Sequence, residues 1–299
     1  MGGLQIGNTY LEQQGDLATL QEHQQALACM LQEFDRVCRE LNITYWLYAG
    51  SLLGAVRHRD FIPWDDDLDV LMPRQDYEKL LREGSKVLGR EHFCIQGEFS
   101  EHWPMFFSKL RLNGTTCLEP FHPKDKLIHQ GVCMDIFPCD NGFDSELGRK
   151  IQFLCSKVVI AKGLDAEGYD TDSMAKKIFI ALCRFLPGRI FHRIVRGPEK
   201  TGRWLHSFLG AASRYSKSVY PSAIFGETVQ VPFGGGCYPA PAQYDQLLTI
   251  LYGDYMQIPP EADRKCKRHA ILVDLTRSWE HYADYRDGME FETRTRSIR

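Results

Sequence analysis

What this 299-residue chain lacks narrows it first. No stretch approaches the roughly 20 apolar residues of a membrane-spanning helix. The richest run, Ile178 to Leu182, is soon broken by Arg184 and Pro187. Ten cysteines are scattered along the chain without a Cys-x-x-Cys pair, so a structural zinc site is not expected and the thiols read as reduced. Excess charge is missing too. A net charge of −3 supplies no polyelectrolyte attraction to nucleic acid and no overall basic surface for a membrane. The first residues hold no basic region followed by an apolar run, so no signal peptide is expected. Met1-Gly2 is followed by Ile6 where an acylation motif wants Ser or Thr. There is no internal repeat and no low-complexity segment. With 43% hydrophobic and 12% aromatic residues, the composition is that of a soluble globular protein with a sizeable core.

What is there in excess is local: four carboxylates in five residues, Asp65, Asp66, Asp67 and Asp69. They repel one another unless a cation sits among them. Alternation along a strand would turn Leu68 and Val70 into a core and place Asp65, Asp67 and Asp69 on the opposite face. Two hard carboxylates one step apart form half of a Mg²⁺ or Mn²⁺ site. Asp66 would face away and serve the structure.

Around this cluster the chain reads as follows. Leu20, Leu27, Leu31, Phe34, Cys38 and Leu41 recur at helical spacing, so the pattern predicts an amphipathic helix over 17–41. A β-rich run over 43–48 precedes Ala49-Gly50-Ser51, where a strand ending and a helix beginning would offer amides and a hydroxyl to a phosphate. Gly-Ser also caps many ordinary helices. Arg57, His58 and Arg59 either balance the acidic cluster or touch a ligand phosphate. A helix is expected from Pro73 to Leu88, and strands over 93–96 and 105–111. On the latter, Lys109 and Arg111 share a face, as ligand contacts or as a solvated edge strand. Asp135 is the one charge in the apolar run Val132 to Phe137, and an unpaired carboxylate there is expensive. It is therefore a candidate third ligand, whereas Asp140 and Asn141 read as a turn. Helical patterns follow over 147–160, 174–185, 189–195 and 203–215. A sheet-like pair over 228–238 and a helix over 244–252 come after them.

Three enzyme classes use Asp-x-Asp. A haloacid-dehalogenase-type phosphatase needs a buried apolar run before the first Asp, and Trp64-Asp65-Asp66 stands there instead. A nucleotide-sugar glycosyltransferase would carry a Rossmann-like N-terminal half, which is not found. The nucleotidyltransferase pattern wants Gly-Ser, then Asp-h-Asp-h, then h-Asp-h, where h is apolar. Gly50-Ser51, Asp67-Leu68-Asp69-Val70 and Met134-Asp135-Ile136 supply all three in order.

Laid out this way, the chain resembles the LicD family of phosphotransferases, to which fukutin-related proteins are also similar. The resemblance rests on Tyr48 to His58, Phe61 to Val70 and Gly131 to Pro138. An echo follows in Leu251-Tyr252-Gly253-Asp254-Tyr255-Met256, Pro259-Pro260 and His269. It implies an α+β fold: a nucleotidyltransferase-like mixed sheet flanked by helices, with a helical insertion and a C-terminal helical part. The expected division is a catalytic core over 17–143, a mainly helical region over 144–227, and a strand/helix part over 228–285 that completes the core.

By the same resemblance, phosphocholine or another phospho-alcohol would pass from a CDP-linked donor, CDP-choline favoured, to a hydroxyl on a glycan or glycolipid acceptor. Cell-surface polysaccharide, teichoic acid or lipopolysaccharide is the implied product class. The location would be cytoplasmic, with peripheral contact at the inner face of the membrane allowed. Asp67, Asp69 and Asp135 would hold Mg²⁺ or Mn²⁺, with Asp65 in support. Gly50, Ser51, Arg57, His58 and Lys109 would hold donor phosphates. The cysteine-based zinc site of the fukutin-like branch has no counterpart here. An aromatic box for choline would draw on Trp46, Trp64, Trp103, Phe106, Tyr238 and Tyr252. A family member that binds nucleotide without catalysis is the non-enzymatic alternative.

Overall fold

A computed structural model describes residues 2–6, 9–100, 103–119, 128–169, 171–200, 202–264 and 269–282. Cys266 and the tail arginines Arg294, Arg296 and Arg299, expected to fray, lie outside them. A hairpin of β1 (Gly2–Ile6) and β2 (Thr9–Gln13) leads into helix α1 (Leu20–Glu40). Here the amphipathic pattern is realised. Thr19 and Glu22 form a reciprocal capping box, which sets the start a turn later than the apolar spacing alone suggests. Leu27, Met30, Leu31 and Phe34 line the buried face, and burying each contributes roughly 1.5–3 kcal/mol.

The β-rich run over 43–48 shrinks to β3 (Trp46–Leu47), because helix α2 (Ala49–His58) begins at once. The acidic segment likewise yields less strand than alternation predicts. Strand β4 (Asp69–Pro73) starts only at Asp69, and helix α3 (Arg74–Val87) follows directly. Then come β5 (Phe93–Gln96), β6 (Ser108–Leu112), the short β7 (Thr116–Leu118) and the long β8 (Cys133–Gly142).

β8 is the spine of a mixed seven-stranded sheet. One edge pairs in parallel with β4, from Asp69 opposite Asp135 to Pro73 opposite Cys139. Its other edge has two neighbours in turn. β6 pairs antiparallel with Cys133–Ile136, and beyond it β9 (Trp204–Ser207) pairs with Cys139–Gly142. Between β8 and β9 the chain forms α4 (Glu146–Ala166), α5 (Met174–Arg184) and α6 (Gly188–Val195). After β9 come α7 (Phe208–Ser213), β10 (Val219–Pro221), a hairpin of β11 (Thr228–Phe233) and β12 (Gly236–Pro241), α8 (Tyr244–Tyr252), α9 (Glu261–Arg264) and β13 (Leu272–Asp274), which pairs with β7. Gly234 and Gly235, at φ of 52° and 78°, make the hairpin turn that other residues adopt with strain. This is an α+β architecture with a mixed sheet. No helix among the described residues is long and apolar enough to cross a membrane.

Three sequence expectations give way here. Residues 203–215 are not one helix, because the edge of β8 beyond β6 needs a partner and the first part, β9, supplies it. Short apolar runs fit either period, so the pattern could not separate them. Asp140 and Asn141 are not a turn but continue β8. Asp140 is fully buried there, its carboxylate taking Arg74 Nε at 2.6 Å and Nη2 at 3.0 Å, while Arg74 Nη1 reaches Glu98 at 2.6 Å. Nor is β6 a solvated edge strand. It lies between β5 and β8, with Lys109 and Arg111 buried.

Removing one member of a buried ion pair strands the other. Arg74→Met leaves Asp140 without its cation and Glu98 with Arg196 at 3.8 Å, and should cost about 3–5 kcal/mol, read as a fall in the urea unfolding midpoint. An unchanged midpoint would show the pair to be dispensable.

Candidate functional site

Strand register lays the candidate residues in one row. Asp69 of β4 stands opposite Asp135 of β8, which stands opposite Lys109 of β6. Directly paired residues project on the same face of a sheet, so three strands bring together groups far apart in sequence. Lys109 Nζ lies 2.9 Å from Asp135 Oδ1 and 3.1 Å from Glu119 Oε1, and 5.2 Å from the centre of the Trp103 ring. Burial opposes its charge, but Asp135, Cys133 and Glu119 outweigh that and hold the ammonium well above its ordinary range. Lys109 is thus the internal counter-charge of the acidic row rather than a lysine extended into solvent.

Asp65 and Asp67 reach the row from the loop before β4. They sit over the first turn of α2, where the positive end of the helix dipole favours carboxylates. Gly50 makes the approach feasible: a Cβ there would lie 2.9 Å from Asp65 Oδ2 and 3.6 Å from Asp67 Oδ1. Ala49 takes a φ of 46° at this point, a left-handed conformation that a non-glycine residue adopts at a cost. The Asp69 amide donates to Ser51 Oγ at 2.8 Å, so this hydroxyl ties α2 to β4. The loop's other carboxylate, Asp66, faces away as expected. It accepts the His269 amide at 2.9 Å and the Ala270 amide at 2.9 Å. That anchor carries His269 to the site, its Nδ1 3.3 Å from Asp67 Oδ2.

The row holds more negative charge than its cations balance. Burial, then Asp65, pushes Asp67 up to about 7, with Asp135 and Asp66 adding and His269 opposing. Asp69 is raised well above the ordinary range by burial, then Asp67 and Asp135. Burial also raises Asp135, against the pull of Lys109. A divalent cation is the group this imbalance suits. The donors are all hard carboxylate oxygens, which fit Mg²⁺ or Mn²⁺ in kind. Among the described residues, no three His, Cys, Asp or Glu side chains converge closely enough to cage an ion. Mg²⁺ commonly takes only one or two carboxylates, with waters and substrate phosphates completing the shell.

Beside the row lies a cleft of about 180 Å³, lined by Arg57, Trp64, Asp65 and Tyr252 among others. Arg57 Nη1 donates to the Tyr255 carbonyl at 2.8 Å, and its Nε to His58 Nε2 at 3.0 Å. His58 therefore orients Arg57 with that nitrogen, and burial, then Arg57, lowers its pKa. Of the six aromatics considered for a box, Trp46, Trp103, Phe106 and Tyr238 are buried in the core. Trp64 and Tyr252 face the cleft, and the Arg264 guanidinium already lies 4.8 Å from the Trp64 ring centre. That face accepts a cation. Glu119 and His269 are the site neighbours that motif reading left out. For His269 the signal was its place after Pro259-Pro260; for Glu119 there was none.

Residues 42–137 match the family profile described as LicD/FKTN/FKRP, nucleotidyltransferase domain. The chain is 27% identical over 264 residues to the lipopolysaccharide cholinephosphotransferase LicD of Haemophilus influenzae, an alignment covering 83% of this chain and 95% of that protein. An uncharacterized protein of Rickettsia prowazekii is 43% identical over 110 residues, covering 36% and 38%. The human ribitol 5-phosphate transferase FKRP is 31% identical over 107 residues, which is 33% of this chain and 21% of FKRP.

A carboxylic acid whose folded pKa is raised stabilises the fold in its protonated form. That contribution is complete below the ordinary value of 3.8 and lost as pH rises through about 7. In protein freed of divalent ions, Asp67→Asn should therefore raise Tm at pH above 7, by roughly 4 °C for about 2 kcal/mol relieved. The gain should vanish as pH falls toward 3.8. Calorimetric scans with and without chelator check this, and a pH-independent difference would contradict it.

Proposed function

We propose that this protein, whose residues 42–137 match the LicD/FKTN/FKRP nucleotidyltransferase-domain profile, is a metal-dependent phosphotransferase. It would move phosphocholine, or a similar phospho-alcohol, from a CDP-linked donor to a hydroxyl of a glycan or glycolipid. A cell-surface polysaccharide, teichoic acid or lipopolysaccharide precursor, met at the cytoplasmic face of the membrane, is the acceptor class this reading favours. The observation that carries it is the Asp69–Asp135–Lys109 row, with Asp65 from the loop before β4 lining a cleft that also holds Arg57, Trp64 and Tyr252.

Each residue then has a task. Asp67, Asp69 and Asp135 would hold Mg²⁺ or Mn²⁺, which when bound neutralises charge on the donor pyrophosphate. Lys109 holds Asp135 in place, and Asp65 steadies the Asp67 side of the site from over α2. Gly50 and Ser51, in the first turn of α2, and Arg57 in the cleft would take phosphate oxygens, with His58 orienting Arg57. Trp64 and Tyr252 would receive the quaternary ammonium of choline, displacing the Arg264 guanidinium from the Trp64 face. Where Asp67 and Asp69 alone hold the ion, the Asp135 carboxylate would instead take the acceptor hydroxyl's proton as its oxygen attacks the phosphorus bearing the choline, and the bond to CMP would break with the electron pair leaving on CMP.

A panel of CDP-alcohols assayed for CMP release with Mg²⁺ tests the proposal. Asp67→Asn and Asp69→Asn should each slow release by at least about a hundredfold with the circular dichroism unchanged. Near-normal turnover in either would remove the metal site. Release of inorganic phosphate from simple esters would point instead to a phosphatase. Metal-dependent binding of CDP-choline without product would point to a binding protein. Trp64→Ala should raise the KM for CDP-choline about tenfold with little change in kcat, the loss expected for one desolvated cation–π contact. An unchanged KM would place the choline elsewhere.

A further inference from the structure

Helices α5 and α6 present an apolar face that no described residue covers. Met174, Ile178 and Leu182 of α5 and the following Phe185 recur at helical spacing and form one stripe. Their exposures are 69%, 54%, 64% and 84%, and Ile190 of α6 adds 57%. Cys183 is the buried residue of α5. A stripe of this kind ordinarily turns into a core, and contiguous exposed apolar surface marks a docking site.

The charges on the same segment say what docks. Residues 174–196 contain six Lys or Arg and neither Asp nor Glu, in a chain whose net charge is −3. Arg184 reaches back to Asp165 at 2.6 Å and Arg196 to Glu78 at 3.2 Å. Lys176, Arg189 and Arg193 are exposed. A second copy meeting this face through a two-fold axis would set like charges against like. A sheet of anionic headgroups matches both features at once. Apolar side chains enter the boundary between headgroups and acyl chains, while lysines and arginines meet phosphates.

We propose that the α5–α6 hairpin seats the protein on an anionic lipid surface. These helices carry none of the candidate site residues, so this docking face stands or falls separately from the reading of the site.

The test is cosedimentation of the full chain with vesicles of phosphatidylcholine alone or mixed with phosphatidylglycerol, alongside light scattering of the free protein. A monomer that binds the mixed vesicles is expected. Partition should weaken about tenfold or more in Ile178→Ser/Phe185→Ser and in Arg189→Glu/Arg193→Glu. These positions are exposed, so both variants should keep the parent circular dichroism. No binding to either vesicle, or binding that neither variant weakens, overturns the proposal. A dimer that Phe185→Ser dissociates would assign the face to a second copy and overturn it as well.

Discussion

Like-charge crowding is the constraint on which the rest of this structure depends. Asp65, Asp67, Asp69 and Asp135 share one end of the sheet, with Lys109 as the buried counter-charge of Asp135 and the His269 ring beside Asp67. Hydrogen bonds from the surrounding elements hold such an arrangement in place. Ser51 takes the Asp69 amide, Asp66 takes two amides of the C-terminal segment, and the first turn of α2 faces Asp65 and Asp67. The site is thus held by hydrogen bonds that cross from motif to motif. The crowding shows in the raised pKa of Asp67 and Asp69, which hold their protons more readily than ordinary carboxylates do.

The supporting architecture follows from β8. A strand of ten residues is long enough to pair with β4 on one side and with β6 and then β9 on the other. Its first half carries Asp135 and the candidate site; its second half carries Asp140, whose charge is met by Arg74. Rigidity at the second end fixes the register at the first. The helices between β8 and β9 leave the site free and turn an apolar, cationic face outward.

Much of this was legible in the residues. The helix over α1 showed in its apolar spacing, and its cap in Thr19-x-x-Glu22. The three motifs around Gly50-Ser51, Asp67-x-Asp69 and Asp135 named the residues that the sheet then gathered. That Asp66 faces away from its neighbours in the acidic cluster was also readable, since it has the opposite parity to them. Other points could not be read. The edge of β8 drew residues 204–207 into a strand although their spacing suited a helix, and the same strand absorbed Asp140 and Asn141. Lys109 and Arg111 looked equally like solvated charges or ligand contacts, and burial between β5 and β8 decided against solvation.

The residues alone supply the candidate set: hard carboxylates at a two-residue spacing, a Gly-Ser turn before them and a lone carboxylate in a later apolar run. These are local patterns, and local patterns select residue types and periods. Which charges meet follows from the closed fold. Strand register set Asp69, Asp135 and Lys109 side by side, and the Asp66 anchor brought in His269 from more than two hundred residues away. Register and long-range anchors depend on the whole core closing at once, and no window of sequence contains that information.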